Sequence, residues 1–257
     1  MERTEPSRAP GLAAGSVATG VRGLVWREGL WALSGLMMLA DLYLVFMWAP
    51  TDATLGIVQR VFYFHVPLAW VAFLAFTLVF LGSVMLLARG SRRWDRLAQS
   101  AAELGVLFTT LVLITGAIWA RPVWGIWWTW DPRLTTTLIL WLIYAGYLMV
   151  WAYSPSPAQG ARYAAVLGIV GFVDVPIVYF SVQWWRAIHP APLVGPASEP
   201  GSLAPAMLVT LMFSLVTFTL FFVVLLKERL ALKATEEGLH EARELARRRT
   251  TSDTRSV

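Results

Sequence analysis

Six stretches of about 20 apolar residues dominate this chain of 257 residues and leave it few alternatives to a membrane. They fall at about 30–49, 66–88, 100–120, 134–152, 162–182 and 203–226. A helix needs roughly 20 apolar residues to cross the hydrocarbon core. Backbone groups in lipid must bond within their own segment, so these runs are expected to be helices. Only 14% of the residues are charged and 57% are hydrophobic, whereas a soluble domain carries about a quarter charged. Cysteine is absent, which removes disulfides, thiolate ligands and thiol-redox chemistry. The net charge of +5 is read as a topology signal, not a nucleic-acid footprint. The region 1–29 carries charges and prolines and lacks the short apolar core of a signal peptide.

An even number of crossings puts both termini on one side. With the runs above, that side holds 17 of the 21 lysines and arginines. Only Arg60, Arg121, Arg133 and Arg186 fall on the other. The positive-inside bias therefore predicts cytoplasmic termini and three outer loops, at about 50–65, 121–133 and 183–202. The fold class expected is an all-α integral membrane bundle of six transmembrane helices. Its expected parts are an N-terminal tail (1–29), the bundle (30–226) and a C-terminal tail (227–257). That tail, from Lys227 onward, reads as a short polar helix with charges of both signs. No internal repeat supports an inverted-repeat transporter.

The outer loops hold the unusual residues. Segment 119–134, WARPVWGIWWTWDPRL, contains five of the fourteen tryptophans. An interfacial belt scatters tryptophans over several helix ends, and this density on one loop exceeds that. Trp124, Trp127, Trp128 and Asp131 are spaced to share one face of a helix lying at the interface. Trp119 and Trp130 fit belt anchoring. Flat π-surfaces suit a large, flat, apolar ligand.

Two of the three histidines lie in the other outer loops. His65 is in RVFYFHVP, with Pro67 expected in the first turn of the second helix. His189 is in VQWWRAIHP, just past the fifth run. His240 lies in the tail. Two imidazoles on opposite faces of a flat macrocycle are what a six-coordinate haem iron requires, and these two lie at similar depth beside aromatic side chains. A zinc site usually needs three or four ligands. Arg121 and Arg133 suit carboxylates such as propionates. Asp174 lies mid-span, where an ionisable group is functional or paired inside the bundle; Asp41 has the same status. Pro176 is expected to loosen the fifth helix.

WGIWWTWD resembles the tryptophan-rich WWD motif of haem-handling membrane proteins. With APTD…QRVFYFHVP before it and VDVPIVYFSVQWW…H after it, the chain is similar to the haem-exporter protein C (CcmC) family of cytochrome c maturation. The likeness is dense over about 45–190. It implies His65 and His189 as axial ligands of haem b. It also implies Trp124, Trp127, Trp128, Trp130 and Asp131 as a platform that binds haem and meets the haem chaperone CcmE. The implied partners are CcmA, CcmB and CcmD, in a bacterial inner membrane. Gln183 stands where the family pattern carries an acid, and Asp174 where it carries an amide. No nucleophile or general-base constellation is visible, so a haem-delivery subunit is expected and not a typical enzyme, with ATP hydrolysis left to a partner. The alternatives are a haem lyase or synthetase component of the same superfamily, which tends to be longer with further histidines, and a membrane haem transporter or channel.

The topology is open to a direct check. A reporter active only outside the cytoplasm should work when fused after Gly125 and fail when fused after Arg93. The reverse pattern would invert the orientation.

Overall fold

The computed structural model describes residues 14–185, 187–190 and 203–253, with the side chains of 14–25 and part of the tail left aside. Residues 1–13, Arg186, 191–202 and 254–257 lie outside the described residues. The described chain is all-α, with no β-strand. Its α-helices are α1 (Ala14–Tyr43), α2 (Phe62–Arg89), α3 (Arg92–Trp124), α4 (Pro132–Tyr153), α5 (Pro157–Phe172), α6 (Asp174–Trp184) and α7 (Pro205–Asp253). They make six segments long and apolar enough to cross a membrane, because α5 and α6 together form one.

The break inside that crossing has a local cause. Pro176 has no N–H to offer the Phe172 carbonyl, and its ring crowds that group. The chain tightens at Val173, whose N–H reaches the Val170 carbonyl at 3.2 Å. This bears out the loosening expected from Pro176. Pro67 departs from expectation. A tighter turn over Ile57–Val61 leads directly into α2. Helical backbone therefore starts well before Pro67, which lies inside α2 and leaves the Tyr63 carbonyl without its usual donor. The tail also departs. It is not a separate short helix, because α7 runs unbroken through residue 226 to Asp253. No glycine or proline intervenes between Pro205 and Gly238 to stop it.

α2 is the central helix, packed on α3, α5 and α7, while α1 lies at the edge against α7. Small residues let these helices approach closely, as they do in bilayers. A Cβ on Gly105 would stand 2.5 Å from the Phe76 ring, and one on Gly171 would stand 2.5 Å from Ile143. Phe76 stacks on Tyr144 with 3.9 Å between ring centroids. Many hydroxyls inside the bundle bond back to their own helix, and a few polar side chains pair across helices. Asp41 on α1 accepts from the Ser214 hydroxyl on α7 at 2.7 Å. Asp174 is buried, and its Oδ2 has no hydrogen-bond partner among the described residues.

The strongest of these pairings joins α3 to α7. Glu103 accepts from Arg229 with both carboxylate oxygens and from Lys233 Nζ at 2.9 Å. Lys233 is only 8% exposed and also donates to Gln99 at 2.8 Å. Removing the carboxylate would leave two cations facing each other with little water to screen them. Glu103→Gln should lower stability by about 1–3 kcal/mol, discounted because the carboxylate is partly exposed. Thermal unfolding in detergent should then shift down by several degrees. An unchanged midpoint would show that this network contributes nothing measurable.

Candidate functional site

The site is built where helices end. α2 begins at Phe62, which places His65 in its first turn and a half. α3 stops at Trp124 because Gly125 takes a left-handed conformation (φ +80°) and returns its N–H to the Arg121 carbonyl at 3.0 Å. The Arg121 guanidinium donates to the Gly125 carbonyl and so closes the same turn. α4 begins at Pro132, with Asp131 as its cap, Oδ1 accepting from the Arg133 backbone N–H at 2.9 Å.

These two signals overturn the interfacial helix expected from the tryptophan spacing. Residues 125–131 are an irregular loop, and Trp124, Trp127, Trp128 and Asp131 do not share a helical face. A positive-φ glycine and a proline-led cap confine the residues between them to a connection.

The ends of α2, α3, α4 and α6, with part of α7, enclose a cavity of about 900 Å³. That is near the top of the range of small-molecule sites, roughly 300–1,000 Å³. Its walls are apolar apart from a few groups, among them His65, Arg133, Tyr179 and His189. Trp119, Trp124 and Trp128 also line it. Trp119 meets the His65 ring edge-on at 5.9 Å, and Trp124 meets His189 edge-on at 6.3 Å. Each imidazole thus has an indole beside it, and both face one space.

The histidines have engaged Nδ1 atoms. His65 Nδ1 lies 2.9 Å from Thr115 Oγ1. His189 Nδ1 lies 3.0 Å from the Pro190 carbonyl oxygen, which can only accept. This carbonyl is nearer than the Arg133 donor that faces Nδ1, so the closer contact puts the proton on Nδ1 and leaves Nε2 with a free lone pair. Arg133 Nη1 approaches the same Nδ1 at 3.4 Å, and Nη2 donates to the Tyr179 carbonyl at 2.7 Å. Burial, and next the Arg133 charge, pull the His189 imidazole down to about 4. It is neutral at neutral pH, the form that binds a metal.

Among the described ion pairs none involves Arg133. Its Nε, together with Nε1 of Trp119 and of Trp128, is buried without a hydrogen-bond partner. Each such orphan costs about 1–3 kcal/mol until an acceptor arrives. All three side chains lie on the cavity wall. Among the described residues, no group of three or more His, Cys, Asp or Glu gathers to hold a metal ion. The metal-binding chemistry here is therefore two imidazoles across an apolar space. That donor set fits a metal already held in a macrocycle better than a bare ion.

Of the residues singled out in the sequence, the cavity brings together His65, His189, Trp124, Trp128 and Arg133. Trp127 (59% exposed) and Trp130 (75%) face outward and are not on the wall. Arg121 closes the α3 turn instead. Asp131 is buried and ties the loops together, since its Oδ2 accepts from the Ile188 N–H at 2.9 Å, next to His189. Trp119 is on the wall despite its reading as a belt residue, and Thr115 and Gly116 sit against His65. The signal that could have found them is spacing: Thr115 and Trp119 are one helical turn apart on α3.

Comparison with known proteins places the chain among named relatives. A family model described as heme exporter protein C matches residues 13–244. Heme exporter protein C of Bradyrhizobium diazoefficiens is 39% identical over 178 residues, covering 69% of this chain and 67% of its own. The Paracoccus denitrificans protein of the same name is 33% identical over 226 residues, covering 87% and 85%. That of Escherichia coli K12 is 32% identical over 175 residues, covering 68% and 70%. With a match that spans most of its length, the chain belongs to the heme exporter protein C family.

Proposed function

We propose that this protein handles haem in cytochrome c maturation, holding haem b as cargo in the cavity and passing it to the haem chaperone CcmE. His65 and His189 are the two axial ligands, each through Nε2. The observation that carries this reading is that both imidazoles, from different elements, line one apolar cavity with Nδ1 already engaged. A ligating histidine normally spends its other nitrogen this way, which fixes the ring and raises its basicity. Arg133 and the orphan N–H groups of Trp119 and Trp128 supply donors for the propionates. Trp124 and Trp128 contribute flat walls.

The exposed indoles of Trp127 and Trp130 form the rim on which the chaperone docks. Tryptophan is favoured at such contacts because it buries much apolar area at little entropic cost. The protein works beside CcmA, CcmB and CcmD-type subunits in the inner membrane of a bacterium. Its termini lie in the cytoplasm and the cavity end faces the periplasm, as the arginine bias predicts. It delivers haem and is not itself an enzyme; any coupled ATP hydrolysis belongs to a partner.

Visible absorption of the purified protein tests the ligand set. The wild type should show a six-coordinate, low-spin haem spectrum, and His65→Ala or His189→Ala should each lose it. Identical spectra in all three proteins would sink the assignment. The division of labour among the tryptophans makes a separate expectation. Trp124→Ala and Trp128→Ala should weaken haem binding. Trp127→Ala and Trp130→Ala should keep the spectrum yet slow transfer to the chaperone, by about tenfold if either is an interface hot spot.

A further inference from the structure

His65 belongs to α2, but the surface that holds its ring belongs to α3. Thr115 has a single hydroxyl proton. Its Oγ1 lies 2.7 Å from the Leu111 carbonyl oxygen and 3.2 Å from that of Val112, on its own helix. Carbonyls only accept, so the hydroxyl proton is spent there. What Oγ1 turns toward His65 Nδ1, 2.9 Å away, is therefore a lone pair. A bond at that distance requires the proton to be on Nδ1. A neutral imidazole has only one such proton, so Nε2 is left bare.

The next residue sets where the ring sits. A Cβ on Gly116 would stand 3.1 Å from His65 Cε1, 3.8 Å from Nδ1 and 4.0 Å from Nε2. The imidazole therefore lies almost directly on the α3 backbone, and any side chain at 116 would have to move it. Trp119, one turn on from Thr115, closes the seat with its ring at 65° to the imidazole. His189 is held differently, with Trp124 edge-on and Arg133 Nη1 3.4 Å from its Nδ1. The acceptor for its Nδ1 is the backbone carbonyl of the residue that follows it, which no side-chain change removes.

We infer that Thr115 and Gly116 are positioning residues: together they fix His65 as the Nδ1–H tautomer, in one orientation, with Nε2 as its metal-binding nitrogen. The consequence for haem rests on the reading of His65 as an axial ligand; the tautomer itself does not. Groups that hydrogen-bond to ligating histidines typically contribute 10–100-fold in metal affinity.

The experiment separates the two. With only three histidines in the chain, ¹⁵N-histidine labelling resolves each ring, and the His65 signals are those missing from His65→Ala. In haem-free protein, the wild type and Thr115→Ser should show protonated Nδ1 at His65. Thr115→Val, of nearly the same shape but without the acceptor, should move the proton partly to Nε2. On titration with hemin, Thr115→Val and Gly116→Ala should bind about tenfold or more weakly, while Thr115→Ser binds as the wild type does. An unchanged His65 tautomer in Thr115→Val overturns the inference. So does a shifted tautomer with unchanged hemin affinity, provided His65→Ala has lost binding. If His65→Ala binds hemin as the wild type does, the ligand reading fails and the tautomer result alone decides the seat.

Discussion

A backbone that crosses lipid has to close its own hydrogen bonds, and this requirement decides where a site can be built. Mid-span, α5 and α6 part at Val173, and there a tighter bond to Val170 takes up the slack. Freedom to place side chains from irregular backbone exists at helix ends. His65 follows the tight turn that opens α2, Trp124 ends α3, Arg133 opens α4, and His189 follows α6. Six crossings bring those ends to one side of the bundle. The cavity is where the lipid constraint lapses.

Helix ends alone do not hold loops in register, and Asp131 does much of that here. One carboxylate accepts from the first turn of α4 and from the Ile188 N–H. It thereby joins the tryptophan loop to the segment carrying His189. At 7% exposure these bonds compete with little water, which makes a charge-assisted pair of this kind stronger than one at a surface. The acid of the tryptophan motif is thus a tether, and its contribution to the cavity is the geometry it imposes on Arg133 and His189.

The six crossings and their all-α class were legible because hydrophobic length is a direct readout of bilayer thickness. His65 and His189 were legible because few other residues on those loops can bind a metal. The tryptophan spacing misled, since an i, i+3, i+4, i+7 pattern carries no information once Gly125 and Pro132 stop the helix on either side. Trp119 was hidden for the opposite reason. A tryptophan at the end of a membrane helix satisfies the interface equally well, and only the packing of α3 on α2 turns it toward His65. Thr115 and Gly116 leave no composition signal at all, because small and hydroxylic residues recur throughout membrane helices.

Charge balance connects these pieces. An apolar cavity tolerates an ionised guest only if the charge is offset inside it. The His189 imidazole contributes none, since it is held neutral by burial and by Arg133. In the proposed role, an iron(III) porphyrin with both propionates ionised brings a net negative charge. Neutral axial ligands leave that charge unchanged, and the guanidinium of Arg133 offsets it. Arg133 meets backbone and His189 and enters no described ion pair, while the buried Asp131 carboxylate nearby acts on it through space. Spending both carboxylate oxygens on backbone N–H groups keeps the loops fixed and leaves the guanidinium without a direct carboxylate bond among the described residues.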